Sequence, residues 1–167
     1  NDETSAYIES ECHEVFRDGR RVMGVLCRGT DYVTLRPLGH PIQPTLEQVF
    51  SLLKVKMKEL RMDYIYLATE EKKIEERFKQ EFPGKILINK RSYYDNYYEN
   101  KCTYIREVNF ERENDSYYKG LEYFSSIVIL SRCQALIGGN TGGSCAAMFM
   151  NNMKYEYTHL FDLGCYR

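Results

Sequence analysis

Val22-Met-Gly-Val-Leu-Cys27 runs directly into Arg28-Gly-Thr-Asp31, and Gln134-Ala-Leu-Ile137 runs into Gly138-Gly-Asn-Thr-Gly-Gly-Ser144. Each is a short apolar run followed by a polar loop, the pattern of a buried parallel strand that delivers its last residues to a sheet rim. In an open α/β sheet such loops gather outside the carboxyl ends of the strands, where ligands bind. The first loop offers a permanent cation and a carboxylate. The second offers backbone N–H groups unobstructed by side chains, at the start of a small-residue helix, Ser144-Cys-Ala-Ala147. Together they suit a phosphorylated ligand, a sugar nucleotide foremost.

Outward from these strands the chain alternates. Residues 3–18 carry Tyr7, Ile8, Cys12, Val15 and Phe16 at three- and four-residue steps, a helix that Asp18-Gly19 ends. Thr45 is placed to cap a second helix with an apolar stripe through Leu46, Val49, Phe50, Leu53 and Met57. Tyr64–Ala68 reads as a strand, 70–82 as a helix stopped by Pro83-Gly84, and 85–88 as a third strand. Residues 89–115 are polar and tyrosine-rich (Tyr93, Tyr94, Tyr97, Tyr98, Tyr104) and predict an irregular excursion, a length that usually serves function or moves. A helix over 116–133, the strand to Ile137, a helix from Ser144 and an edge strand over 158–163 complete the order. The alternation predicts a Rossmann-like α/β fold, a parallel sheet with helices on both faces.

With 167 residues the chain is expected to form one domain with a real core. A formal net charge of −1 gives no electrostatic case for nucleic acid, so any anion site is local. No apolar stretch approaches the roughly 18 residues that span a bilayer. The opening Asn1-Asp-Glu-Thr-Ser5 is no signal peptide, and the lack of an initiator Met suggests a piece of a longer protein. Among six cysteines, Cys27, Cys133 and Cys145 fall in or beside core-like segments, and no Cys-x-x-Cys pair occurs. Buried free thiols in a reducing cytoplasm are the expectation, with a disulfide framework as the alternative.

Arg28 can fork onto phosphate oxygens with two parallel donors, which lysine cannot imitate. Asp31 can orient it or accept from a sugar or base; the plainer alternative is an Arg28–Asp31 pair that only stiffens the turn. Asn140, Thr141, Gly142, Gly143 and Ser144 form a cradle for phosphate at a helix N-terminus, or else a tight strand-to-helix junction. This loop lacks the Walker lysine and the dinucleotide glycine spacing. Thr69 is a third rim candidate, although a capping role for it, with Glu70 and Glu71 as acidic first-turn residues, accounts for that segment without a ligand. His13, His40 and His159 have no evident acid or nucleophile partner, and no cluster has metal-ligand spacing, so no metal is expected.

Four segments in order resemble the nucleotide-binding C-terminal lobe of the GDP-fucose-dependent fucosyltransferases. That group includes the α1,6-fucosyltransferases, the rhizobial nodulation enzyme and the protein O-fucosyltransferases, all of two-lobed GT-B-type architecture. Arg28-Gly-Thr-Asp31 resembles the His-x-Arg-x-x-Asp signature, and His40-Pro-Ile42 the His-Pro-Ile before the next helix. Tyr66-Leu-Ala-Thr-Glu70 resembles the strand-end Tyr-Leu-Ala-Thr-Asp. Leu130-Ser131 with Asn140–Ser144 resembles the last, diphosphate-binding motif. The likeness runs from about Val22 to Met153.

It implies that Arg28 grips the β-phosphate of GDP and stabilises the departing diphosphate, that Asp31 helps hold the site, and that Thr141–Ser144 cradle the diphosphate. It further implies an inverting, metal-independent transfer of fucose from GDP-fucose to a glycan acceptor, with no other cofactor. The acceptor-binding N-terminal lobe would lie outside this chain. Three positions depart from the pattern. Leu26 stands for the histidine, Ser126 for an acidic guanine contact, and Gly142-Gly143 for side chains of the last motif. Two rivals follow: a non-catalytic nucleotide-binding or interaction module that kept the fold, and another α/β enzyme such as a phosphatase or methyltransferase.

Overall fold

The computed structural model describes residues 2–29, 33–95 and 107–167. Five strands form one parallel sheet: β1 (Val22–Leu26), β2 (Tyr64–Ala68), β3 (Ile86–Leu87), β4 (Ala135–Gly139) and β5 (Tyr157–Phe161). Their spatial order is β3-β2-β1-β4-β5. The chain therefore moves outward from the central β1 to one edge, then returns to β1's other side. β1 pairs with both neighbours, Leu26 lying level with Ala68 of β2 and Gly138 of β4. Every residue of β1 and β4 is buried. That is why both strands read as unbroken apolar runs and not as alternating ones.

The helices are α1 (Asp2–Phe16), α2 (Leu46–Glu59), α3 (Lys72–Glu81), α4 (Asp115–Arg132) and α5 (Gly142–Met150). Alternate strand residues face opposite layers. Val22, Leu26, Tyr66 and Leu136 pack with α1 and α4, and α5 lies against α4. Met23, Val25, Ile65 and Ile137 pack with α2 and α3 on the other face. Helices thus cover both faces of a parallel sheet, the Rossmann-like arrangement the alternation predicts.

Thr45 does cap α2: its hydroxyl accepts from Gln48 N at 3.3 Å, and the Gln48 side chain accepts from Thr45 N at 2.9 Å. Two other helix starts differ from expectation. α3 begins at Lys72 rather than residue 70, because its orphan N–H groups are met by a residue far ahead in sequence. The Asp95 carboxylate accepts from Lys72 N at 2.7 Å and from Lys73 N at 3.0 Å. α5 begins at Gly142, not Ser144, with Thr141 as N-cap, and two of the glycines assigned to the loop, Gly138 and Gly139, instead finish β4.

Among the described residues no helix is long and apolar enough to cross a membrane. Cys12, Cys27 and Cys133 are buried free thiols. Burial pushes Cys27 up to about 12, so it packs as a small hydrophobe and not as a nucleophile.

Candidate active site

Beyond the carboxyl ends of β1 and β2, and beneath α4, lies a cavity of about 430 Å³. β1 contributes Leu26 and Arg28, and β2 contributes Ala68, Thr69 and Glu70. A strap leading away from β3 adds Arg91, Ser92 and Tyr94. One face of α4 closes the cavity with Ser116, Lys119, Tyr123 and Ile127, spaced as helix geometry requires for a shared stripe. The location is the strand-end crevice at which open parallel sheets bind ligands.

Arg28 stands two residues past β1, and its Nε lies 2.7 Å from Glu70 Oε1 across the β1–β2 rim. Both side chains are largely buried, at 16% and 13% exposure. The contact is a pairing of charges and not an aligned hydrogen bond. Glu70 therefore lines the cavity beside Arg28, a placement that a capping role for Thr69-Glu70-Glu71 does not foresee. Glu71 lies over the backbone after β1: a Cβ at Gly29 would collide with its carboxylate. Asp31 lies outside the described residues, as do Tyr97, Tyr98 and Tyr104.

The glycine turn packs against side chains of the cavity wall and is not itself part of the lining. A Cβ at Gly143 would stand 3.0 Å from both Leu26 Cδ2 and the Tyr123 hydroxyl, and 3.3 Å from Ile127 Cδ1. All three of those side chains line the cavity. A side chain there would press on all three, so the glycine eases the close approach of α5. Around Gly142 there is open space. The N–H groups of Gly142 and Gly143 fall in a helical first turn, with no carbonyl one turn earlier to bond. Asn140 is exposed beside them.

The hydroxyls of this turn are engaged within it. Ser144 is fully buried and donates to Gly139 O at 2.7 Å; Thr141 Oγ1 accepts from Ser144 N at 3.4 Å. What the turn offers a ligand is backbone and helix dipole. Thr69, at 1% exposure, likewise spends its oxygens internally. Its hydroxyl accepts from Glu71 N at 3.3 Å and its carbonyl accepts from Arg91 Nη1.

Arg91, Asn89 and Glu122 were not singled out by sequence. Arg91 Nη2 donates to Asn89 Oδ1 at 2.9 Å and to Ser126 Oγ. Asn89 also accepts from the buried Tyr66 hydroxyl at 2.7 Å. Glu122 accepts from Ser92 N at 3.1 Å and from Arg112 Nη1 at 2.5 Å. The available signal was position: Asn89 and Arg91 follow β3 as Arg28 follows β1, on the same rim. Tyr94 joins the wall by donating its N–H to Glu70 O at 2.9 Å. Burial, with the Glu122 charge behind it, raises the Tyr94 phenol to about 12, so it stays a neutral donor.

The strap continues to α3, where the Tyr93 hydroxyl donates to Glu75. Glu75 is 2% exposed and lies 2.8 Å from Lys72 Nζ and 2.5 Å from Lys79 Nζ. Among the described residues no three His, Cys, Asp or Glu side chains are grouped so as to share a metal ion.

Solved structures share this arrangement of strands and helices. NodZ alpha-1,6-fucosyltransferase co-crystallized with GDP superposes with a TM-score of 0.57 at 14% identity, over 97% of this chain and 44% of that one. Fucosyltransferase NodZ from Bradyrhizobium gives 0.56 at 14%, over 97% and 45%. POFUT1 in complex with GDP gives 0.55 at 12%, over 94% and 48%. The chain has the GDP-fucose fucosyltransferase fold. It spans less than half the length of those enzymes, and so corresponds to a single lobe. No family model and no curated protein sequence matches it.

Proposed function

We propose that this chain is the donor-binding lobe of an inverting, metal-independent glycosyltransferase that takes a nucleoside diphosphate sugar, GDP-fucose foremost, and passes the sugar to a glycan acceptor. The observation that carries the reading is the largely buried Arg28 at a strand-end cavity whose wall side chains Leu26, Tyr123 and Ile127 pack against the first turn of α5. A guanidinium and a helix N-terminus on one crevice complement a diphosphate from two sides. The fold shared with enzymes captured with GDP supports it.

In this reading Arg28 holds the β-phosphate and stabilises the negative charge that builds on it as the glycosidic bond lengthens. Help at the leaving group matters most for an oxocarbenium-like transfer. Gly142 and Gly143 N–H groups take the remaining phosphate oxygens, Thr141 and Ser144 keep that turn in shape, Asn140 flanks it, and Asp31 holds Arg28. Thr69 acts from beneath, fixing Arg91 through its carbonyl. The acceptor site belongs to a partner lobe. The buried free thiols fit a reducing cytoplasm.

Calorimetric titration of the chain with GDP and GDP-fucose tests the reading. Binding is expected, and Arg28→Ala should weaken it about 10- to 150-fold, the worth of one charge-assisted phosphate contact. No binding at millimolar nucleotide, or an unchanged affinity in Arg28→Ala, overturns it. A second reading, binding without transfer, draws on Leu26 and Ser126, both buried where the family pattern has ionisable groups. GDP binding with no donor hydrolysis or transfer, in the full-length protein offered candidate acceptors, would establish that version.

A further inference from the structure

Among the described residues the charged side chains that line the cavity are Arg28, Glu70, Arg91, Lys119 and Glu122. All but one of them face an opposite charge. Arg28 lies 2.7 Å from Glu70, Lys119 Nζ lies 3.0 Å from Asp115, and Glu122 lies 2.5 Å from Arg112. Those pairs cancel, and Arg91 is left over. Among the described residues its guanidinium forms no ion pair, and its hydrogen bonds all go to uncharged oxygens.

Those bonds nonetheless hold Arg91 in one orientation. Its Nη1 donates to Thr69 O, and its Nη2 to Asn89 Oδ1 at 2.9 Å and to Ser126 Oγ. The end of β2, the strap and α4 each supply one acceptor, and Asn89 is itself fixed by the buried Tyr66 hydroxyl at 2.7 Å. Of the five N–H groups a guanidinium carries, the second on Nη1 and the Nε–H remain, and the Nε–H has no acceptor among the described residues. A permanent cation drawn partly out of water without a counter-ion is destabilising, and an anion in the cavity offsets that cost. Neutral oxygens orient the side chain; its charge is left for a ligand to balance.

Arg91 and Arg28 reach the same strand end. Arg28 faces the Glu70 side chain and Arg91 the Thr69 carbonyl, consecutive residues just past β2, and both arginines line the one cavity. A ligand with two linked anionic groups is the complement of such a pair. Resting on the donor-site reading above, we infer that Arg91 is a second phosphate-binding residue of this cavity. The diphosphate lies between two guanidiniums, one phosphate on Arg28 and the other on Arg91. Arg91 then carries the preference for a diphosphate over a monophosphate, since a single phosphate group needs only one of the two cations.

The test is a calorimetric titration of the whole chain with inorganic pyrophosphate and inorganic phosphate at several salt concentrations. It is repeated on Arg91→Met, Arg91→Lys and Arg28→Ala, with far-UV circular dichroism as the folding check. Arg91→Met should weaken pyrophosphate about 10- to 150-fold and phosphate much less, narrowing the gap between them. Its pyrophosphate affinity should also depend less on salt, and Arg91→Lys, which keeps the charge, should fall in between. Pyrophosphate binding that Arg28→Ala weakens and a folded Arg91→Met spares overturns the inference and leaves the donor site standing. An equal loss in both Arg91 variants with unchanged salt dependence also overturns it, since Arg91 would then only brace the wall. A loss confined to the Arg91 variants supports it and overturns the role given to Arg28. No binding of pyrophosphate or GDP at millimolar concentration overturns the donor-site reading and this inference together. If both Arg91 variants misfold, amide exchange of the unaltered chain decides. Pyrophosphate should slow exchange at Ser92 and Tyr94, whose N–H groups bond Glu122 and Glu70 O; binding that leaves both unchanged overturns the inference.

Discussion

Replacing Glu75 by Gln tests the charge network that anchors the strap to α3. Burial on its own would raise this carboxyl, but hydrogen bonds from Lys72, Lys79 and Tyr93 outweigh it and hold it at about 2. A carboxyl that titrates there instead of at its ordinary 4.5 is stabilised as the anion by about 3 kcal/mol. Lys72 and Lys79 are about half exposed, so solvent screening trims the measurable part to about 1–2 kcal/mol. The folded-state value is depressed, so the stabilisation is complete above pH 4.5 and is lost as pH falls toward 2. Urea unfolding followed by tyrosine emission reads it directly, since the chain has 15 tyrosines and no tryptophan. The wild-type chain should exceed Glu75→Gln by about 1–2 kcal/mol at pH 7, and the gap should close between pH 4.5 and pH 2. No gap at pH 7, or one that persists undiminished at pH 2.5, would refute the assigned ion pairs.

Thr141→Ala removes the hydroxyl that caps α5 and should cost about 1 kcal/mol, with Thr141→Ser close to wild type in thermal melts. Asp95→Ala strips the carboxylate from the start of α3; amide exchange at Lys72 and Lys73 should accelerate, with about 1 kcal/mol lost in urea unfolding. Glu70→Gln takes away the anion that faces Arg28, so pyrophosphate should bind several-fold more tightly in calorimetry. Weaker binding would mean that Glu70 serves to orient Arg28 rather than to balance its charge.

The central strands were legible because burial on both faces makes β1, β2 and β4 continuous apolar runs. The Thr45 cap was legible because its partner Gln48 is three residues away. What escaped the sequence involves groups that are remote along the chain. Asp95 caps a helix 23 residues earlier. Arg91 finds Ser126 35 residues later. Arg28 pairs with Glu70, a neighbour only because β1 and β2 lie side by side. At the last helix, the two glycines argued for loop by propensity, and the Thr141 cap together with close packing against Leu26 outweighed them.

The distribution of polar groups also says where substitutions will act. β1 and β4 admit no polar ligand group within the sheet, since both faces are filled by the two halves of the core. Side chains that can meet a ligand must therefore come from beyond the strand ends, and Arg28, Thr69 and Glu70 lie within two residues of one. The strap makes polar contacts to that rim and to the flanking helices: Arg91 to Thr69 O, Tyr94 N to Glu70 O, Ser92 to Glu122 and Tyr93 to Glu75. Contacts of that kind open at lower free energy than an apolar sheet core. The cavity wall is thus largely separable from the fold: changes along the strap alter the site while the sheet stays intact, and changes inside β1 or β4, Leu26 at the cavity apart, reach the site through the support they give it.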